Sequence, residues 1–564
     1  MAKNRQTLMA DFETTTDPED CRVWAVCAVD VDTQEVVHLG HTLDGFMEFL
    51  CGINSVCYFH NLKFDGEFIL HWLLTHGFEY SDSRADHTFQ ALITDDGLFY
   101  SIEVVFQKLA GKKYKKVVFY DSLKKLPFKV ATIARAFELK QSKGEIDYTA
   151  PRPLGYEMSQ EEKDYIITDC QIVAEALSIQ IGQGLKKMTN ASDALNGYKN
   201  IIGKGTFEKW FPQLPLELDA DIRRAYKGGY VRLQPQYAMK RGLSGKTYDV
   251  NSLYPWTMYD CLLPYGYPMY FEGAYEPDER HPLYIIHMRC CFEVKPKHLP
   301  TLQLKNNRRF IETEYLESSR VMMGDEELNE PIEMWLTSVD YELLRDHYDL
   351  TEVEFINGFK FKGAVGMFKD YIDYWMEIKE TTTGALRQLA KLMLNSLYGK
   401  FATNPKARKK IPYLDPEDNV VRYTLDEPEE RDPVYTAMGC FITAYARNKT
   451  IRSAQSVYDR FIYADTDSLS LIGDENPEGL EIHPTHLGAW KDEGTFTDSF
   501  FIRAKTYMKT VEGKDKVTCA GMPDNVKALV NYDNFKPGST FPGKLMPRRY
   551  PGGIILEPTT FTIK

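Results

Sequence analysis

Two aspartates stand two residues apart in the stretch FIYADTDSLS, which runs from Phe461 to Ser470. Apolar residues lead in from Phe461 to Tyr463, then come Asp465 and Asp467, and an apolar–polar alternation resumes at Leu469. The pattern reads as a β-hairpin with two acids near its tip. Residues i and i+2 of a strand share a face, so the two carboxylates project together and repel unless a cation lies between them. Oxygen-only ligands suit a hard divalent ion, and Mg²⁺ commonly takes one or two carboxylates and completes its shell with substrate phosphates. Taken alone, the stretch is more readily an ordinary turn. A third acid changes the weighing. Tyr248 to Pro255 reads YDVNSLYP, a strand that ends at Asp249 and Val250 and runs into a turn. Three such acids could share a two-metal site, in which ions roughly 3.5–4 Å apart clamp the attacking and leaving oxygens of a phosphoryl displacement.

Other groups of residues carry similar chemistry, each with an ordinary alternative. Asp11 and Glu13 end the strand expected from Gln6 to Phe12, and could be only an acidic strand end before Thr14. Asp65 follows a strand at Val56 to Phe59 and precedes an apolar run, Phe68 to Leu74, that reads as a helix, so helix capping would explain it. Tyr165 and Asp169 are four apart on a helix expected over Gln160 to Leu185 and share one face, as a surface Tyr–Asp pair would. Tyr226-Lys227-Gly228-Gly229 pairs two glycines, which allow close backbone approach to a ligand or a β-turn. Over Gly384 to Ala402 the pattern is helical, and Lys391, Asn395 and Tyr398 form one polar stripe. A solvated face rarely combines Lys, Asn and Tyr with a following Gly399.

The whole chain sets the frame for these groups. Its 564 residues exceed one hydrophobic core and imply several domains. The formal charge of −13 argues against an overall phosphate-binding surface and confines any such role to local clusters. Those clusters are Lys112, Lys113, Lys115 and Lys116; Lys124 and Lys125; Lys406, Arg408, Lys409 and Lys410; and Lys544, Arg548 and Arg549. The ten cysteines lack metal spacing, no apolar run reaches membrane length, and Met1 to Thr7 does not read as a secretory leader. These features predict reduced thiols in a cytosol. The stretch PYGYPMYFEGAYEPDERHP, after Cys261, reads as loop.

DVNSLYP, KLMLNSLYGKFA (Lys391 to Ala402) and YADTDS occur in the order found in family B DNA polymerases, and the chain most resembles their protein-primed branch, the replicative polymerases of small phages. The resemblance runs nearly end to end. It implies an α+β multidomain enzyme: an RNase H-like 3′–5′ exonuclease domain joined to a right-hand polymerase with two protein-priming insertions. The domains it implies are an exonuclease at 1–189, palm at 190–260 and 435–522, a first insertion at 261–366, fingers at 367–402, a second insertion at 403–434 and a thumb at 523–564.

Residue roles follow from the same resemblance. In synthesis, Asp249, Asp467 and the Val250 carbonyl hold two Mg²⁺ (Mn²⁺ can substitute), and Asp465 supports them. Tyr254 excludes a 2′ hydroxyl, Lys391 and Lys379 face the triphosphate, and Asn395 and Tyr398 face the nascent base pair. Tyr226, Gly228 and Gly229 match the YxGG element that contacts template backbone, and Lys505 and Tyr507 match a KxY element that holds the primer terminus. In the exonuclease, Asp11, Glu13 and Asp169 ligate metals, Asp65 completes the acidic ring and Tyr165 orients the attacking water. Thr14, His60, Asn61, Phe64, Phe68, Ser122 and Leu123 match positions that hold the frayed strand, and Lys143 one that steadies the scissile phosphate. Aromatic rings stack on unpaired bases and polar groups take the backbone. The implied partners are DNA as primer-template and single strand, deoxynucleoside triphosphates and a terminal protein primer, for a monomer or a heterodimer with that protein in the cytoplasm of a bacterial host. Three rivals stand beside this reading: a polymerase that extends only nucleic-acid primers, an exonuclease with a non-catalytic DNA clamp, and a non-enzymatic scaffold.

Overall fold

The computed structural model describes residues 5–109, 113–304 and 315–564. Lys112 of the first lysine cluster and positions 305–314 of the first insertion lie outside the described residues.

An eight-stranded mixed sheet runs, edge to edge, Val36–Gly40, Val23–Asp30, Gln6–Thr14, Ser55–Phe59, Tyr114–Asp121, Phe99–Lys108, Thr88–Ile93 and Glu79–Tyr80. Val23–Asp30 is buried at every position, as a strand covered on both faces must be. The helix Gln160–Gly182 packs against it and against Gln6–Thr14. Ser159 starts that helix with a capping box: its side chain accepts from the Glu162 N–H while Glu162 reaches back to the Ser159 N–H. Such a cap contributes about 0.5–2 kcal/mol and sets the rotation that turns Tyr165 and Asp169 inward.

A seven-stranded sheet forms the second centre, in the order Lys514–Cys519, Thr506–Val511, Trp490–Arg503, Gly245–Val250, Ser468–Ile472, Phe461–Asp465 and Val231–Leu233. The strand bearing Asp249 is therefore central and pairs directly with the second arm of the acid-bearing hairpin. Behind the sheet lies the helix Thr436–Ser456, buried along most of its length. Two further helices, Lys369–Thr381 and Gly384–Phe401, pack against each other.

The loop expected after Cys261 holds for residues 273–282, but its first half is corrected to a strand. Leu263–Glu272 is an outer strand of a four-stranded sheet, paired with Tyr348–Ala364 across a register break between Tyr265 and Met269. Pro264 and Pro268 obscure it in sequence, because proline is tolerated on an edge whose N–H groups need no partner. The second insertion-like segment folds as the hairpin Lys410–Leu414/Val421–Leu425, with Lys406–Ala407 paired to Glu429–Glu430 beside it.

The cores do not respect the expected domain boundaries. Val421 of the second insertion and Ile554 and Ile555 of the C-terminal hairpin lie in the same apolar cluster as Phe59, Phe68 and Ile69. A polar clasp accompanies them: buried Glu67 accepts from Arg549 Nε at 2.8 Å and from the Tyr423 hydroxyl at 2.9 Å. The chain thus closes on itself, since the last hairpin, Thr540–Tyr550/Gly553–Thr562, docks on the first domain.

Candidate active sites

Asp249 pairs in register with Ser468, and the Val250 N–H donates to the Asp467 carbonyl at 2.7 Å. This contact brings the end of one strand against the hairpin tip, so positions more than two hundred residues apart in sequence share one corner. The tip departs from simple strand alternation. The strand ends at Asp465, Thr466 takes a left-handed φ of 60°, and the Asp467 N–H folds back onto the Asp465 carbonyl at 2.7 Å. A tight turn, rather than the pleat, presents both acids. Tyr230 O accepts from the Thr466 N–H at 2.7 Å, and a Cβ on Gly229 would lie 2.6 Å from Thr466 Oγ1. Gly229, rather than the glycine pair, therefore lets the Tyr226–Gly229 loop pack directly on this turn, since a Cβ on Gly228 would meet only open space.

The carboxylates oppose one another. Burial, then the neighbouring charges of Asp467 and Glu493, push Asp249 up to about 7. Burial and Asp465 raise Asp467, against its own backbone hydrogen bond and Lys505. Lys505 Nζ lies 3.1 Å from Asp465 Oδ1, and the Tyr463 hydroxyl donates to Asp465 Oδ2 at 3.2 Å while accepting from the Lys505 N–H at 3.0 Å. The Tyr507 ring sits 5.2 Å from that of Tyr463. Lys505 and Tyr507 are thus tied to the acid corner through Tyr463, a residue that sequence reasoning passed over as an apolar strand position.

Facing the corner, Tyr254 and Tyr398 stack with centroids 3.8 Å apart and planes 13° from parallel. Lys379 Nζ donates to Ser252 Oγ at 3.1 Å. Burial, then the positive charges of Arg387 and Lys391, lower the Lys379 pKa. Three cations crowded onto two helices outweigh the nearby charge of Glu380 and form a ready site for a polyanion. Arg387, whose guanidinium donates to the Lys379 carbonyl, escaped the sequence reading although it lies four residues before Lys391. Asn395 is exposed on the same helix face.

The first sheet and its helices gather the second set of acids. Asp11 and Glu13 share a face of Gln6–Thr14, Asp169 comes from the long helix, and Asp65 from Leu62–Thr75. Asp65 is not a helix cap. The helix starts earlier, after Asn61 at φ 82°, and Asp65 points inward at 3 % exposure. Capping passes to Asp121, whose Oδ1 accepts from the N–H groups of Asn61 at 3.2 Å and Leu123 at 3.0 Å. Burial, then Asp169, pushes Asp11 up to about 7, and burial followed by neighbouring acids also raises Glu13 and Asp65. Lys143 Nζ contacts Asp169 Oδ2 and lies 5.1 Å from the Tyr165 ring centroid. The Tyr165 and Tyr148 hydroxyls are 2.6 Å apart. Tyr148 was missed, although it closes the same KGEIDY segment that supplied Lys143.

His60 bonds to Ser122 Oγ at 2.8 Å and to the Phe128 carbonyl at 2.7 Å, so His60 and Ser122 hold each other in place. Thr14 and Leu123 are half-buried, and Phe64 is partly open with its ring 5.7 Å from Phe68. Phe68 differs from expectation. It is 1 % exposed, and a Cβ on Gly553 of the C-terminal hairpin would lie 2.3 Å from its ring. In this arrangement Phe68 supports the site from beneath and cannot stack on a base.

Both sites fit a hard divalent cation. The donors are oxygens, Asp65 Oδ1 and Asp169 Oδ1 are buried without a partner, and an ammonium group rests on one acid of each site. Among the described residues no three His, Cys, Asp or Glu side chains are placed to hold a metal ion by themselves, so an ion here would need ligands from phosphates and water.

A corner of three acids on a central sheet, faced by two helices that carry cations, defines an enzyme of nucleotide joining; a second cluster of acids gathers at the amino-terminal sheet. The family model for DNA polymerase type B, organellar and viral, matches residues 52–154 and 149–481. The DNA polymerase of Bacillus phage phi29 is 47 % identical over 99 % of this chain and 99 % of its own length. That of Streptococcus phage Cp-1 is 33 % identical over 98 % of each. The solved structure of phi29 DNA polymerase complexed with primer-template DNA and incoming nucleotide superposes with a TM-score of 0.93 at 47 % identity, over 99 % of this chain and 100 % of that one. The chain belongs to the type B DNA polymerases, in their protein-primed phage branch, and is a DNA-directed DNA polymerase.

Proposed function

We propose that this polymerase both extends and proofreads, and that it starts chains on a terminal protein. The carrying observation is the acid corner, in which the Val250 N–H and Asp467 carbonyl bond beside Asp249 and Asp465. The proposed domains are those the sequence suggests: exonuclease 1–189, palm 190–260 and 435–522, insertions 261–366 and 403–434, fingers 367–402 and thumb 523–564.

Asp249, Asp467 and the Val250 carbonyl would hold two Mg²⁺, or Mn²⁺, in the palm, and Asp11, Glu13 and Asp169 two more in the exonuclease; when bound, the ions activate the attacking oxygen and neutralise the leaving one. Lys391, Lys379 and Arg387 draw in the triphosphate and offset its charge as pyrophosphate leaves. Asn395 and Tyr398 border the nascent pair. Tyr254, stacked flat on Tyr398, is the proposed barrier to a 2′ hydroxyl. Lys505 and Tyr507 hold the primer end, and the Tyr226–Gly229 loop guides template backbone past the turn it packs on. The hydroxyl of a serine, threonine or tyrosine on the terminal protein replaces the primer hydroxyl in initiation.

In the exonuclease, Tyr165 orients water, Lys143 steadies the scissile phosphate, and Thr14, Asn61, Phe64 and Leu123 receive the strand, with His60, Ser122 and Phe68 behind them. Strand displacement and processive synthesis are assigned to the hairpin Lys410–Leu414/Val421–Leu425, which Glu67 ties to the first domain and to the C-terminal hairpin. The cytoplasm of a bacterial host is the proposed location. Primer extension with deoxynucleotides and Mg²⁺, with and without a terminal protein, tests the proposal. Linkage of the first nucleotide to a protein hydroxyl supports protein priming, and extension of DNA primers alone refutes it.

A further inference from the structure

Lys509 is a buried lysine with no acidic partner among the described residues. It is 7 % exposed, on Thr506–Val511, the strand that also carries Tyr507. Its Nζ donates to Thr247 Oγ1 at 2.9 Å and to Ser470 Oγ at 2.7 Å. Thr247 lies two residues before Asp249 on the same strand, and is paired in register with Ser470 on the second arm of the catalytic hairpin. The ammonium also sits among aromatic rings, with centroids at 5.0 Å for Phe496, 5.2 Å for Tyr507 and 5.7 Å for Phe501. Burial alone pulls its pKa down to about 7.

Such an arrangement is expensive unless it does something that an apolar side chain cannot. Its contacts define the task. The side chain reaches from the strand of Tyr507, across the intervening strand Trp490–Arg503, to both strands that present the acids. Hydrogen bonds within the sheet join neighbours only, so backbone pairing alone does not tie the Tyr507 strand to the Asp249 strand. Lys509 supplies that missing link, and also floors the Tyr507 ring.

We infer that Lys509 is a positioning residue for polymerisation, which fixes the primer-holding Tyr507 at a set distance from the strand pair carrying Asp249 and Asp467. The inference rests on the reading of Tyr507 as a primer-end contact. Its reach is selective. The exonuclease acids lie on the amino-terminal sheet and two of its helices, so a loosened Tyr507 strand weakens the hold on a paired primer end and leaves cleavage of single strands alone.

The test compares Lys509→Met, Lys509→Gln and Tyr507→Ala with the parent, in steady-state incorporation on a primed template and in degradation of single-stranded DNA. Methionine fills the volume without hydrogen bonds. Its expected effect is a rise of about five- to twentyfold in the KM for primer-template, with kcat and single-strand degradation little changed. On a primed template, the balance shifts from incorporation toward degradation by a similar factor. Glutamine can still donate to both hydroxyls and restores most of the loss. Lys509→Met with unchanged primer-template KM overturns the inference, as does an equal fall in both activities, which marks a purely structural role. If Tyr507→Ala also leaves that KM unchanged, the primer-end reading itself fails. If only Tyr507→Ala raises it, the fault lies with the Lys509 inference.

Discussion

The amino-terminal site draws its four carboxylates from one strand and two helices, whereas the three acids of the palm come from a strand and a turn that hydrogen-bond to each other. Glu13, Asp65 and Asp169 are buried, and Lys143 is the cation pressed against them. The acids of the second sheet stand at a more open corner, where Asp465 retains 26 % side-chain exposure and meets the ammonium group of an exposed Lys505. Both arrangements raise an aspartate to about 7, at Asp11 and at Asp249, by burial first and like charge second. The buried set depends on packing among separate elements. The palm set depends on sheet register, so distant changes in strand pairing should reach it more readily.

The comparison is broken most sharply by removing acids. Asp249→Ala should lower nucleotide incorporation by ~10³-fold or more while leaving single-strand degradation intact. Asp11→Ala with Asp65→Ala should do the reverse, abolishing degradation of 3′ ends while incorporation persists. Parallel assays of one protein preparation check both, and a shared loss in either variant would mean that the two sites are not independent. Tyr254→Val should raise ribonucleotide incorporation by about 10–100-fold, read as the ratio of kcat/KM values for the two sugars. A smaller effect belongs to the junction between the regions. Arg549→Ala leaves Glu67 buried and half-satisfied, and should shorten the tract made per binding event several-fold on a template trapped against rebinding. Its folding stability should fall by roughly 1–3 kcal/mol.

Lys509 sharpens the contrast through pH. Its folded pKa is about 7 and its ordinary value is 10.5, so the unfolded chain binds more protons between those limits. Stability attributable to this residue therefore rises with pH from about 7 toward 10.5, by up to roughly 1.4 kcal/mol per unit, and the full penalty stands below that window. Chemical denaturation of the parent and Lys509→Met across the window should show the parent gaining relative to the variant as pH rises.

Much of this was legible in the sequence because chemistry constrains residue type and spacing together. Asp465 and Asp467 stand out between apolar strands, and Lys391, Asn395 and Tyr398 fall on one helical stripe. What sequence could not supply was the partner of each group. The capping role expected at Asp65 belongs to Asp121, because a strand end sixty residues away lies beside the helix start. Phe68 looked free to stack on a base, yet Gly553, near the far end of the chain, covers it. The outer strand Leu263–Glu272 was hidden by its prolines, and Tyr463 and Lys509 by ordinary strand patterning. The misses at Asp65, Phe68 and Lys509 turn on long-range contacts, which local periodicity does not encode, whereas Arg387 and Tyr148 stand close in sequence to residues already singled out.

The claim on which the rest depends is that Asp249 and Asp467 grip the same ions. A structure of the protein with primed template, a non-hydrolysable deoxynucleoside triphosphate and Mg²⁺ tests it directly. Both carboxylates should lie at about 2.0–2.1 Å from the bound ions, with the triphosphate completing the shell. Ions held by only one of the two acids, with the other left in hydrogen bonds to protein or water, would contradict the account.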